Sequence, residues 1–219
     1  MQFKNQKGFT LVEIAIVLVI VGLLIGGVLK GQEMITNAKL KRVESDNAGI
    51  AAAMFSYQDR YLQLPGDDSD AENRFTVYAA ADNPNGAGDG TIGDGTDWDT
   101  PINTAWTDGN QETLKFFAHL RAAGLVPGGG KDSTRPTNAY GGQIGIQDGS
   151  LGIAGHTTIF GAIEGPIAKI IEARLDDGAG DTGRIQSKQI VAGVADMDAG
   201  SAGDAAYVDS GRYNMAFRL

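Results

Sequence analysis

From Phe9 to Leu29 the chain is apolar or small, with Thr10 and a single carboxylate, Glu13, as the exceptions. About 20 such residues are what an α-helix needs to cross the hydrocarbon core of a bilayer. After Lys30 the pattern changes. Leu40, Val43, Asn47, Ile50, Met54, Tyr57 and Tyr61 recur at spacings of three and four, with Lys39, Lys41, Arg42, Glu44, Asp46, Asp59 and Arg60 between them. That is one apolar stripe on an amphipathic helix, suited to seating a globular domain. No proline occurs between Met1 and Tyr61. Residues 9–62 therefore read as one helix, which at 1.5 Å per residue would be roughly 75–80 Å long. Leu64-Pro65-Gly66-Asp67-Asp68 ends it, because proline cannot continue a helix and Gly-Asp is turn chemistry.

Beyond the junction the periodic segments are short. Residues 82–110 are loop-like by composition, rich in Gly, Asp and Asn. Residues 111–123 read as a helix whose apolar side is Leu114, Phe117, Ala118 and Leu120, with Gly124 as its stop. Gln143–Ile146 and Thr157–Phe160 suit short antiparallel strands. Gly165-Pro166 starts a further helix carrying Ile167, Ile170, Ile171 and Leu175, and Asp176-Asp177-Gly178 stops it. Segments 184–194 and 207–217 read as the last strands. The expected class is α+β: a long N-terminal helix packed on a loop-rich head, 63–219, with a small antiparallel sheet.

Charge and composition narrow the function. The chain has 219 residues and a net charge of −9. Residues 1–8 hold Lys4 and Lys7 and no acid, so without them 16 basic and 27 acidic residues would leave −11. Nucleic-acid binding through bulk charge needs the opposite sign. With no cysteine, disulfides, zinc–thiolate sites and thiol nucleophiles are excluded.

An ordinary secretory signal has an apolar core of about 7–15 residues followed by a small-residue cleavage site. Here the run is longer, and no Ala-x-Ala pattern follows Leu29. An ordinary anchor fits the length but leaves Glu13 without a task, since a carboxylate within a membrane helix is costly and normally functional. Lys7-Gly8-Phe9-Thr10-Leu11-Val12-Glu13, running straight into an apolar helix, resembles the processing signal of type IV pilins and of the pseudopilins of type II secretion. The resemblance implies a leader, residues 1–8, cut by a prepilin peptidase between Gly8 and Phe9 on the cytoplasmic side. N-methylation of the new Phe9 amine would follow. Glu13 matches the family's fifth mature residue. One helical turn from that amine, its carboxylate could pair with it, or with a neighbouring subunit's in a filament, which offsets the desolvation of both charges.

The implied protein is a structural subunit rather than an enzyme. It would be held in the bacterial inner membrane by residues 9–29, then polymerised with copies of itself or other pilins by an inner-membrane assembly platform. Gly22-x-x-x-Gly26 and Gly27-x-x-x-Gly31 would allow close helix approach in lipid. Two departures stand out. Lys30 occupies a position where many pilins have proline, and the disulfide that often clips the C-terminal region is missing. Two later runs, Tyr57–Asp68 and Phe116–Leu125, resemble recurring motifs of a group of bacterial pilin-like proteins.

Other chemistry is weaker. Gly128-Gly129-Gly130-Lys131 lacks the first glycine and the Ser/Thr of a phosphate loop. Asp148-Gly149-Ser150-Leu151-Gly152 is not a nucleophile elbow, although His156 nearby keeps a membrane-anchored Ser-His-Asp hydrolase as a rival. His119 reads as a structural or surface histidine. A tip adhesin or binding module, using Trp98 and Trp106, is a further alternative. Three acidic clusters could hold a hard cation: Asp89, Asp94, Asp97 and Asp99; Asp176, Asp177 and Asp181; Asp196, Asp198 and Asp204. None has the spacing of an EF-hand. Major pseudopilins fix a C-terminal loop with calcium, and by that resemblance Asp176, Asp177 and Asp181 are the first candidates for calcium.

Overall fold

The structure is a computed structural model that describes residues 10–93, 98, 111–193, 195, 197–198 and 200–219. The chain divides into two compact units, Met1–Lys41 and Arg42–Leu219. Helix α1, Leu11–Tyr61, is unbroken over 51 residues and contributes to both. This is the long helix the periodicity predicts. It passes through Lys30, whose ammonium pairs with Glu33 one turn on at 2.8 Å.

From Ile14 to Leu29 the helix of the first unit is apolar all round. Leu11, Leu18, Leu23 and Leu29 are all well exposed. Its length and composition suffice to cross a membrane. Gly22, Gly26, Gly27 and Gly31 face open space.

In the second unit the stripe on α1 becomes core. Val43, Ile50, Met54 and Tyr57 are buried. Asn47, the odd polar member, accepts a hydrogen bond from the Thr158 hydroxyl. Leu62 then turns the chain off the helix in the left-handed region, φ 56°, its N–H bonded to the Gln58 carbonyl at 2.8 Å. Glycine is the usual residue there; a side chain costs about 1 kcal/mol or more.

A one-turn helix, α2 (Ala71–Arg74), follows, then α3 (Glu112–Ala122), β1 (Ile144–Asp148), β2 (His156–Glu164), α4 (Gly165–Leu175), β3 (Ile185–Gln189) and β4 (Arg212–Arg218). The four strands form one antiparallel sheet in the order β1-β2-β4-β3. The register between β2 and β4 slips between Phe160 and Ile163, where Ala162 takes a positive φ, as at a β-bulge. Trp98, Leu151, Ile153, Ile159, Met197 and Ala216 pack into one apolar cluster. The architecture is α+β, as expected. Two features differ from the pattern reading. Helix α2 carries too few residues to show a period. Helix α3 is buried on almost every side, including Glu112, Lys115 and His119, because those polar groups have backbone partners inside the fold.

Candidate functional site

The described chain begins at Thr10, so Gly8 and Phe9 lie outside the described residues. Thr10 caps α1. Its N–H and its hydroxyl both donate to Glu13 Oε2 at 2.8 Å, and its hydroxyl oxygen accepts from the Glu13 N–H at 3.3 Å. This is a reciprocal capping box, and Thr10-x-x-Glu13 is its sequence signature. The pattern was readable in the chain but is eclipsed by the apolar run behind it. Every one of these bonds to the carboxylate uses Oε2, so Oε1 accepts none among the described residues. Glu13 is thus turned back onto Thr10, with one oxygen to spare among the described residues. The positive end of the helix favours a carboxylate at that place.

At the other end of α1, the two later motifs meet. The Tyr57 hydroxyl donates to Asp68 Oδ2 at 2.6 Å. Arg74 donates to the same carboxylate at 2.8 and 3.2 Å, and the Asp70 N–H does so at 3.0 Å. Burial works to raise the Asp68 carboxyl, but the bonds from Arg74 and Tyr57 override it and hold the group below its ordinary range. Burial and the bond to Asp68 push the Tyr57 phenol up.

His119 closes the junction from α3. Its Nδ1 accepts the Gly66 N–H at 2.9 Å, so its Nε2 carries the proton and donates to the Pro84 carbonyl at 2.9 Å. Burial lowers its pKa to about 4, and the ring stays neutral. Gly66 has φ 94°, and a Cβ there would lie 2.5 Å from the Glu112 carbonyl oxygen; only glycine fits. Next to it, Asp67 accepts the N–H groups of Gly88, Asp89 and Gly90, and Glu112 accepts those of Ala87 and Gly93. The Tyr57–Asp68 and Phe116–Leu125 motifs are therefore two halves of one buried polar lock that also shapes loop 84–93.

His156 and Asp148 come together, Nδ1 to Oδ1 at 2.5 Å, and that bond raises the histidine's pKa. The serine does not join them. Ser150 is buried, with its hydroxyl 2.8 Å from that of Thr157. The described residues therefore hold a His-Asp pair without an aligned serine. Trp98 is buried in the apolar cluster, and Trp106 lies outside the described residues.

Among the acidic groups, Asp176 Oδ2 accepts the Arg184 and Ile185 N–H groups at 2.5 and 2.7 Å. Asp177 accepts the Ala179 N–H and the Thr182 hydroxyl. Carboxylate oxygens of Asp176, Asp177 and Glu172 lie within 4.8 Å of one another; Asp181 is not in that group. Glu172 is fully buried. One of its oxygens accepts the Tyr207 hydroxyl at 3.1 Å, and the other has no partner among the described residues. Burial raises its pKa to about 8. Its position one turn before Asp176 was the available signal, hidden by its place within an apolar helix.

In the first cluster, Asp89 groups with Asp67 and Glu112, while Asp94, Asp97 and Asp99 lie outside the described residues. In the third, Asp204 pairs with Lys188 at 3.2 Å and Asp196 lies outside the described residues.

Comparison with curated proteins and with solved structures gives no match. Residues 3–29, however, match the prokaryotic N-terminal methylation motif, so the chain carries the prepilin-type signal that marks type IV pilins and pseudopilins.

Proposed function

We propose that this chain is a structural subunit of a type IV pilus or a type II secretion pseudopilus. A prepilin peptidase cuts between Gly8 and Phe9, and the Phe9 amine is methylated. The apolar half of α1 holds the precursor in the inner membrane, from which an assembly platform moves it into a filament with copies of itself or other pilins. That move costs little hydrophobic energy, since lipid and a bundle of apolar helices are alike in polarity. The observation that carries the reading is the methylation motif over residues 3–29, continued into a helix that can span a membrane. The spare oxygen of Glu13, at the start of the helix beside Thr10, supports a role in meeting the new amine of its own chain or of a neighbour. The head, from residue 63 onward, faces outward and performs no catalysis.

Mass spectrometry of the mature N-terminus tests this. N-methyl-phenylalanine at position 9 is expected; an intact Met1, or trimming beyond residue 25, would refute it.

We further propose that the calcium expected near the end of α4 is held by Glu172 with Asp176 and Asp177, and that Asp181 stands aside. A buried carboxylate with one orphaned oxygen beside two more carboxylates fits a hard cation with oxygen ligands. The ion would neutralise Glu172 and tie α4 to the turn before β3. Calcium should raise the thermal midpoint, and a chelator should lower it. No response to either would end the idea.

A further inference from the structure

Strand β3 stands at one end of the sheet, with β4 as its strand neighbour. An edge strand leaves a row of backbone N–H and C=O groups open to pairing with another chain. Two bonds fix which groups of β3 face β4. The Arg218 N–H donates to the Arg184 carbonyl at 2.9 Å, and the Ile190 N–H to the Arg212 carbonyl at 2.7 Å. With the antiparallel register of the pair, the even-numbered residues of β3 face β4. The amides of Ile185, Ser187 and Gln189 point outward.

All three outward amides are taken. The Ile185 N–H donates to Asp176 Oδ2 at 2.7 Å, the Ser187 N–H to the Gly180 carbonyl at 2.8 Å, and the Gln189 N–H to Asp204 Oδ2 at 2.7 Å. The Ser187 carbonyl accepts the Asp204 N–H at 2.8 Å. None of these partners belongs to a strand. Two of the three acceptors are carboxylates, which offer no donor in return. Two separate segments supply them: the turn after α4 and the connection from β3 to β4. They cross closely at Gly180, where a Cβ would lie 2.6 Å from the Asp204 carbonyl oxygen, so glycine leaves the room needed. Lys188 steers the Asp204 side chain, its ammonium 3.2 Å from the carboxylate and donating to the Ala202 carbonyl at 2.9 Å. From Ser201 to Ala206 no residue is buried. Polar bonds, not core packing, hold that stretch against β3.

We infer that Asp176, Gly180 and Asp204 form a guard that closes the edge of β3 to a second copy of this chain. An added strand would need the same three amides. An uncovered β3 fits its own copy, because two such strands run antiparallel about Ser187 present matching rows and close on a two-fold axis. The guard is independent of the filament reading, and its failure would leave that reading untouched.

The test uses the full chain in detergent and leaves Asp176 unaltered, since that residue also belongs to the proposed calcium site. In the unaltered protein, residue-resolved hydrogen exchange should find the Ser187 and Gln189 amides roughly a hundredfold slower than in an unfolded chain. Asp204→Ala should speed both about tenfold in dilute protein and lower the concentration at which the chain dimerises by about as much. The two amides should be protected again in the dimer. Asp204→Asn keeps an acceptor for the Gln189 N–H and should behave as the unaltered chain. Adding Gln189→Pro to Asp204→Ala removes the uncovered donor and should restore the monomer. Fast exchange at both amides in the unaltered protein would overturn the guard. So would an Asp204→Ala chain that stays monomeric, or that dimerises without protecting these amides. An Asn variant or a double variant that dimerises like Asp204→Ala would do the same. An Asp204→Ala chain that does not fold would make Asp204 a support of the fold rather than a guard, and would overturn it too.

Discussion

Glu13 has a structural job that the apolar run around it disguises: its carboxylate completes the helix start with Thr10. The second job proposed for it is to pair, through its other oxygen, with the Phe9 amine. Glu13→Gln keeps a hydrogen-bond acceptor for the cap and discards the charge. It should therefore leave α1 intact and cut filament number at least tenfold, counted by electron microscopy. If the variant assembles at the normal rate, pairing with the Phe9 amine plays no part.

His119 gives a second residue-level expectation. Its pKa of about 4 in the fold, against 6.5 unfolded, means the unfolded chain takes up the proton first. The contribution is complete above about pH 6.5 and is lost as pH falls toward 4, amounting to about 3 kcal/mol. Urea titrations between pH 4 and 7 should show this loss, and His119→Ala should flatten that part of the profile. The same substitution strands the Gly66 N–H and the Pro84 carbonyl and should cost a further 2–4 kcal/mol or so at neutral pH.

At the scale of elements, Tyr57→Phe removes one bond to a buried carboxylate and should destabilise the second unit by about 1.5–3 kcal/mol, measured by chemical denaturation. Leu62→Gly should move the other way, by about 1 kcal/mol. Much of this layer was legible beforehand. The stripe through Val43, Ile50, Met54 and Tyr57 is buried as its spacing foretold; α3, α4 and β3 fall within the expected segments, and β1, β2 and β4 overlap theirs but run past them. What stayed hidden has a common cause. Hydrophobic period reports which residues leave water, not which polar groups find each other across the chain. The bond between His119 and Gly66 spans 53 positions, and no local pattern announces it. Glu172 is hidden for the same reason, its hydrogen-bond partner, Tyr207, lying 35 positions away. Asp181 is near Asp177 in sequence but is not among the carboxylates that come together with it.

For the whole molecule, charge and shape of use follow from composition. Loss of Lys4 and Lys7 would leave a strongly acidic subunit. Copies packed in a filament then repel one another, and salt screens that repulsion within about 10 Å at 0.1 M. Lateral bundling of filaments should increase between roughly 0.02 and 0.2 M salt, which light scattering can follow. A glycine-rich, cysteine-free head must hold its later segments by buried polar bonds, which is what the lock around Asp68 and His119 and the contacts of Asp176 provide.

The position of β4 has a consequence for biogenesis. It is the last of the four strands to be synthesised, yet it lies inside the sheet, with β2 on one side and β3 on the other. Until it has cleared the ribosome and the translocon, β1 and β2 can form only a hairpin and β3 has no neighbour at all. Until residues 212–218 arrive, the edges of β2 and β3 that β4 will occupy both stay open.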